Sequence, residues 1–193
     1  MYTAKDYSHL LGASGFSDML LNNHFKLYQG YVNATNVAAN RLTELVAAGE
    51  TGPGEYAEIK RRFGWEFNGM RLHEYYFGNM KKDGTSLPEG ASLHAQIIKD
   101  FASYEAWESD FRSTGSIRGI GWTVLFYDKH ASRLLNVWIN EHDMGPLAGS
   151  EPILVMDVFE HAFMTDYGLS RPDYIASFMK AIDWNVAQER FKG

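Results

Sequence analysis

The sequence predicts an α+β fold, with an N-terminal antiparallel helical hairpin followed by a C-terminal domain in which helices pack a small antiparallel sheet of about three strands. Two observations predict this class. The first half has two long stretches of helical spacing, separated by the Gly- and Pro-rich turn GETGPGE at 49–55. The second half has three short runs of β-branched and aromatic residues between further helical patterns.

The helical hairpin is predicted from the first 82 residues. Ser17 is the expected N-cap of a helix over 16–49, and a second helix is expected from residue 56 to about residue 80. Because the connecting loop is short, the helices should pack antiparallel. The polar segment 83–90 predicts a linker, which divides the chain into a hairpin domain at 1–82 and an α/β domain at 91–193.

The C-terminal half alternates between helical and strand patterns. A helix is expected over 92–113, followed by strands with the sequences GWTVLFYD, RLLNVWIN and PILVMDVF. From Asp157 to about Tyr167 the pattern is helical again. The segment Arg171-Pro172-Asp173 opens a last helix, which is expected to end at Phe191.

Composition and charge limit the classes of function. The 193 residues include 45 % hydrophobic residues and carry a net charge of −6, which argues against a nucleic-acid partner because such proteins need a basic surface. The absence of cysteine excludes disulfides and thiolate metal sites. No signal-peptide pattern opens the chain, and no apolar run approaches the roughly 20 residues that span a bilayer. We therefore expect a cytoplasmic protein without a membrane partner.

The strongest local signal for chemistry is DVFEHAF at 157–163. Asp157 follows the apolar run ILVM, where a buried strand would end, and His161 comes four residues later. A carboxylate and an imidazole at this spacing can form half of a metal site. A helix cap at Asp157 followed by an ordinary histidine is the alternative interpretation.

Two further histidines lie on the predicted hairpin. His24 is in the first helix, with Tyr28 and Tyr31 four and seven residues later, and His73 is in the middle of the second. In an antiparallel pair both imidazoles can reach one point between the helices, although a single helical histidine is more often structural. Three imidazoles and one carboxylate suit iron or manganese and could also hold zinc.

Several motifs are together typical of one family. They are the YVN segment at 31–33 after His24, His73 in the second helix, the strand GIGWTVLFYD, the box DVFEHA at 157–162 and the segment YGLSRPDY at 167–174. By these motifs the sequence resembles the iron/manganese superoxide dismutases over nearly its whole length. The resemblance implies the two-part fold and the dismutation of superoxide at one iron or manganese ion per subunit, which cycles between M(III) and M(II).

The resemblance also implies roles for single residues. The implied metal ligands are His24, His73, Asp157 and His161. Tyr31 matches a gateway tyrosine, and Trp122 matches an aromatic wall of the cavity. The family places a glutamine beside the metal-bound solvent, either on the second helix, where this chain has Gly69, or in the loop before the last strand, where it has His142. His142 is therefore expected to be the partner of that solvent.

The family is dimeric, and its entrance residues are altered here. In the family, the glutamate of the box reaches the ligand histidine of the partner subunit, which implies a homodimer with Glu160 in the interface. Tyr28 stands where a histidine is usual and Met164 where a tyrosine is usual, so the usual polar link across the dimer is expected to be missing or replaced by a tyrosine contact. Three further positions depart from the family, namely Leu72 in place of asparagine and Phe77 and Phe159 in place of tryptophan.

Two other functions remain open at this level. Two histidines and one carboxylate form the facial triad of non-haem iron oxygenases, which needs open coordination positions. The altered entrance is also compatible with a metal-binding or structural homologue that has lost the activity.

Overall fold

The computed structural model describes residues 1–192 and begins with the helical hairpin. Helix α1 spans Asp18–Ala48 and helix α2 spans Glu55–Gly78. The Oγ of Ser17 accepts from the N–H of Leu20 at 3.0 Å and caps α1, as predicted. Gly49, with φ of 75°, ends the helix in the left-handed conformation that glycine adopts at low cost.

Each hairpin helix presents a buried stripe to its neighbour. In α1 the buried positions recur at three- and four-residue intervals, so they lie on one face. They are Leu20, Leu21, His24, Tyr28, Val32, Thr35, Leu42 and Leu45. In α2 the buried positions concentrate in the C-terminal half, around His73. The two histidines therefore belong to the packed core.

The three predicted strands form one antiparallel sheet. Strands β1 (Gly121–Asp128), β2 (Arg133–Asn140) and β3 (Ser150–Asp157) are arranged in the order β2-β1-β3. Trp122 pairs with Asp157 in this register, which places the start of β1 beside the end of β3. The sheet thereby brings the tryptophan motif and the DVFEHAF motif to one edge.

The single helix predicted over 92–113 is wrong, because the segment forms two helices. Helix α3 spans Ser92–Phe101 and helix α4 spans Tyr104–Gly115. Ala102 between them has φ of 71°, outside the helical region. The Oγ of Ser103 then accepts from the N–H of Ala106 at 3.0 Å, which starts α4 with a new cap.

The segment after β3 is also less regular than predicted. A 3₁₀ turn over Glu160–Ala162 and the short helix α5 (Met164–Tyr167) replace one helix from Asp157 to Tyr167. The carboxylate of Asp157 accepts from the N–H of Phe159 at 2.8 Å, and this local bond competes with helical geometry.

The last predicted helix, over 171–191, is likewise divided. Helix α6 spans Arg171–Ala181 and helix α7 spans Trp184–Lys192. Between them Ile182 pairs with Met80 in an isolated β-bridge, and its carbonyl accepts from the N–H of Thr85 at 2.8 Å. These contacts attach the start of the linker to the α6–α7 junction.

The domain division at 1–82 and 91–193 stays a prediction, and its last residue lies outside the described range.

Among residues 1–192, no helix combines the length and the apolar character needed to cross a bilayer.

Candidate metal centre

Four side chains from separate elements converge on one point in the structure. His24 comes from α1, His73 from α2, Asp157 from the end of β3 and His161 from the 3₁₀ turn. One ligand atom from each lies within 4.8 Å of the other three. The Oδ2 of Asp157 is 3.1 Å from the Nε2 of His24, 3.1 Å from that of His161 and 3.6 Å from that of His73. The residues predicted as ligands are therefore together in space.

The imidazole of His73 has its lone pair directed into this cluster. Its Nδ1 is 2.5 Å from the carbonyl oxygen of Gly69, which can only accept, so Nδ1 must carry the hydrogen. The opposite nitrogen, Nε2, is buried and has no hydrogen-bond partner among the described residues. A buried acceptor without a donor is costly, and a cation would satisfy it. The cluster therefore fits a metal ion.

The carboxylate of Asp157 is fixed by its own backbone surroundings. One oxygen accepts from the N–H of Phe159 at 2.8 Å, which leaves Oδ2 to face the histidines. Burial alone would raise the pKa of this carboxyl, but His161 and His24 outweigh burial and hold the pKa below its ordinary value. The centre therefore keeps one negative charge.

The two most buried ligand histidines are neutral. Burial lowers the pKa of His24, and it lowers the pKa of His73 well below the ordinary value. Neutral imidazoles offer lone pairs, so the donor set is three nitrogens and one carboxylate oxygen. This set suits iron or manganese, and its third histidine sets it apart from a facial triad.

A second group of residues lies directly beside the cluster. The Nε1 of Trp122 donates to the Nδ1 of His142 at 3.0 Å, and the Nε2 of His142 is 2.9 Å from the hydroxyl of Tyr31. The Tyr31 ring stacks on the His73 ring, with centroids 5.2 Å apart. Burial raises the pKa of Tyr31, so its phenol remains protonated. The residues predicted around the metal thus form a connected chain.

The hydroxyl of Tyr28 is engaged within its own chain. It is buried, and its hydroxyl donates to Glu74 at 3.1 Å while accepting from the N–H of Lys5 at 3.0 Å. Its one proton is therefore used inside the chain, and the expected tyrosine contact across a dimer stays a prediction. Glu74 also pairs with Arg71 at 2.5 Å.

Two of the residues predicted for the dimer interface, Glu160 and Met164, lie at the surface. Glu160 is exposed, and Met164 is 42 % exposed. The side chain of His161 is 24 % exposed, more than the other members of the cluster. The ligand set therefore reaches the surface beside Glu160.

Sequence reasoning missed several residues that position the site. Tyr174, in the YGLSRPDY motif, donates to the backbone carbonyl of Asp157 at 2.5 Å. Asn68 donates to the carbonyl of His142 at 2.9 Å, and Trp65 donates to Glu141 at 3.0 Å. The motif around Tyr174 was a signal for the first contact. The contacts between α2 and the loop at 141–142 have no local signal in the sequence.

Comparisons with known proteins agree with this arrangement. A family model described as iron/manganese superoxide dismutases, C-terminal domain, matches residues 88–190. The manganese superoxide dismutase 2 of Haloferax volcanii is 39 % identical over 170 residues, which cover 88 % of this chain and 83 % of the relative. The iron superoxide dismutase of Cupriavidus metallidurans is 37 % identical over 182 residues, which cover 92 % of this chain and 89 % of the relative. The matches thus include relatives named for each of the two metals.

Proposed function

This chain belongs to the iron/manganese superoxide dismutase family, and we propose that it converts two superoxide ions and two protons to dioxygen and hydrogen peroxide. The reaction uses one iron or manganese ion held by His24, His73, Asp157 and His161. The observation that carries the proposal is the buried Nε2 of His73, which faces the other three donors with no hydrogen-bond partner in residues 1–192. A bound cation would satisfy this lone pair, whose burial is otherwise costly.

An iron or manganese ion held by these four residues would supply the one-electron chemistry, oxidising one superoxide and reducing another. The protein's part is to fix the four donors and to control water and protons around them. The rings of Trp122, Phe159 and Phe77 lie against the histidines and exclude bulk water. Tyr31 keeps its phenol proton beside the centre at neutral pH, because burial raises its pKa.

The test measures metal and activity in the same samples. We expect the purified chain to contain about one iron or manganese ion per subunit and to dismutate superoxide. Loss of a residue that hydrogen-bonds to a metal ligand lowers metal affinity by up to roughly 100-fold. His73→Ala removes a proposed ligand itself and should therefore lower metal affinity by more than that. His130→Ala, at an exposed loop histidine, is the matched control and should change neither quantity. Full metal content without dismutation would instead support a homologue that has lost the activity.

We also propose a homodimer in which Glu160 of one chain accepts a hydrogen bond from His161 of the other. A ligating imidazole needs an acceptor on its second nitrogen, and His161 is the ligand whose side chain reaches the surface. Glu160 is exposed and makes no ion pair within the described residues. Leu169, which is 91 % exposed, adds apolar surface to the same segment.

Glu160→Ala should weaken both the dimer and metal binding. Sedimentation across a concentration series, with metal analysis of each fraction, would measure the two together. Glu189→Ala, an exposed glutamate on α7, serves as the control for loss of one negative charge. A wild-type chain that is monomeric at micromolar concentration with full metal occupancy would contradict the proposal.

We propose a cytoplasmic location on composition alone, since a chain without cysteine needs no oxidising compartment to mature.

A further inference from the structure

Trp122, His142 and Tyr31 form a hydrogen-bonded chain whose direction is determined by chemistry. The indole Nε1 of Trp122 is 3.0 Å from the Nδ1 of His142. The Nε2 of His142 is 2.9 Å from the hydroxyl oxygen of Tyr31. The side chains of Trp122 and His142 are fully buried, so bulk water does not supply alternative partners.

An indole N–H can only donate, so the Nδ1 of His142 must accept. An imidazole that accepts at Nδ1 is neutral and carries its single hydrogen on Nε2. That hydrogen is directed at Tyr31, whose oxygen therefore accepts. The phenol proton of Tyr31 is then not used by His142.

We propose that Trp122 is a positioning residue that locks His142 in the Nε2–H tautomer, so that Tyr31 keeps its proton for a molecule bound in the metal centre. This inference rests on the proposed function and deepens it. His142 then acts through Tyr31, whereas the sequence analysis expected it to be the direct partner of the metal-bound solvent. It cannot relay a proton either, because its only acceptor atom faces an indole that does not release one.

The surroundings of His142 prevent its ring from turning to an alternative arrangement. Its ring stacks on Phe159 with centroids 4.8 Å apart, and it makes a T-shaped contact with the Trp65 ring with centroids 4.4 Å apart. Asn68 holds the backbone carbonyl of His142 at 2.9 Å. An amide side chain at this position would have two N–H groups, so it could donate one hydrogen bond to Tyr31 and another to a second acceptor. An imidazole in this tautomer has only one N–H to donate.

Space on the helix side is closed as well. A Cβ added at Gly69 would lie 2.5 Å from Cδ1 of Tyr31, so the tyrosine ring occupies the volume of a side chain at this position on α2. No side chain from that position can therefore share the role of His142. The phenol of Tyr31 is therefore the hydrogen-bond donor toward the centre from this face.

The first experiment is ¹⁵N nuclear magnetic resonance of the histidine rings in the full-length chain loaded with zinc, a diamagnetic probe. We expect His142 to show an unprotonated, pyridine-type Nδ1 and a protonated, pyrrole-type Nε2. In Trp122→Phe the lock is removed, so the two nitrogens should shift toward a mixture of tautomers. Trp107→Phe, at a buried tryptophan bonded to Asn136, should leave the His142 signals unchanged. A protonated Nδ1 in the wild-type spectrum would overturn the inference without any variant.

The second experiment measures fluoride binding to the iron(III)-loaded chain by its absorption change. Tyr31→Phe should weaken fluoride about tenfold, since a hydrogen bond to a charged group is lost. Trp122→Phe should give a similar loss, because His142 can then accept the phenol proton. In a chain that already carries Tyr31→Phe, adding Trp122→Phe should weaken fluoride binding little further. A second loss of about the same size would contradict the proposed effect of Trp122 on the His142 tautomer. If the chain dismutates superoxide but the Nδ1 of His142 is protonated, this inference alone is refuted. If His142 has the expected tautomer but the chain does not dismutate superoxide, only the proposed function is refuted.

Discussion

At the scale of single residues, the direction of one hydrogen bond determines what an imidazole can do. The Nδ1 of His73 donates to the carbonyl of Gly69, so its Nε2 offers a lone pair to the centre. The Nδ1 of His142 accepts from Trp122, so its Nε2 offers a hydrogen to Tyr31. The same side chain thus presents a lone pair to the candidate metal centre in one place and a hydrogen to Tyr31 in the other.

The buried position of His142 should make the fold sensitive to acid. Burial lowers the pKa of His142 to about 4, below its ordinary value of 6.5. Between these pH values the unfolded chain binds a proton that the folded chain does not, so the folded state loses stability as the pH falls through this window. The contribution is intact above pH 6.5. By pH 4 it should have lost about 3 kcal/mol in the free energy of unfolding.

His142→Gln should remove this part of the acid sensitivity. Urea unfolding of the metal-free chains at pH 7 and pH 4 would show a drop in stability that is smaller for the variant by about 3 kcal/mol. His130→Gln removes an exposed histidine and should behave like the wild type. An equal drop in all the chains would show that His142 is not the group responsible.

At the scale of elements, the close approach of α1 and α2 depends on glycine at one position. Gly69 lies one turn before His73, and Tyr31 from α1 fills the space beside it. Its carbonyl accepts from His73, so the same residue admits the tyrosine ring and orients a ligand. The helix pair therefore sets both the tautomer of His73 and the position of the Tyr31 ring.

Gly69→Ala should displace Tyr31 and impair the site. The new Cβ would lie 2.5 Å from Cδ1 and 2.7 Å from Cε1 of the tyrosine ring, closer than side chains can approach. We expect a loss of about 1–3 kcal/mol in the free energy of unfolding, together with reduced dismutation per bound metal. Gly64→Ala, in the same helix with open space around its Cβ, should instead gain about 0.5–1 kcal/mol from helix propensity. If the two variants are equally stable and active, the steric argument is wrong.

At the scale of the whole molecule, the centre exists only because both halves of the chain meet there. The hairpin supplies His24 and His73, the end of β3 supplies Asp157, and the 3₁₀ turn after it supplies His161. Tyr174 from α6 holds the backbone of Asp157 from behind. Metal binding is therefore coupled to the packing of the hairpin against the C-terminal half, and a bound ion should stabilise the fold as a whole.

The whole site should accept either metal and remain active. A protein adjusts the potential of its metal through the hydrogen-bonding groups around the ion, and the groups beside this centre are His142 and Tyr31 rather than an amide. Stripped chains reconstituted with iron or manganese should therefore have dismutation rates per bound metal within about 100-fold, or about 2.7 kcal/mol of barrier. His142→Gln should shift activity toward manganese. A larger difference between the two metals in the wild type would contradict a permissive site.

Local sequence determined the elements and the candidate ligands. Ser17 caps α1, the apolar run ahead of Asp157 forms β3, and each strand starts within two residues of its predicted position. These features depend on neighbours in the chain, through side-chain spacing and capping groups. The breaks at Ala102 and Ile182 were not predictable, because they depend on a left-handed backbone conformation and on a bridge to distant Met80.

Only the tertiary structure decided how the site residues are connected. The sequence identified Tyr31, Trp122 and His142, but it could not show that the indole donates to Nδ1 and thereby directs the imidazole at the tyrosine. Nor could it show that the hydroxyl of Tyr28 donates to Glu74, 46 residues later in the chain. The physical reason is range: helix and strand patterns arise from contacts a few residues apart, whereas the direction of a buried hydrogen bond depends on which distant donors and acceptors the fold brings within about 3 Å.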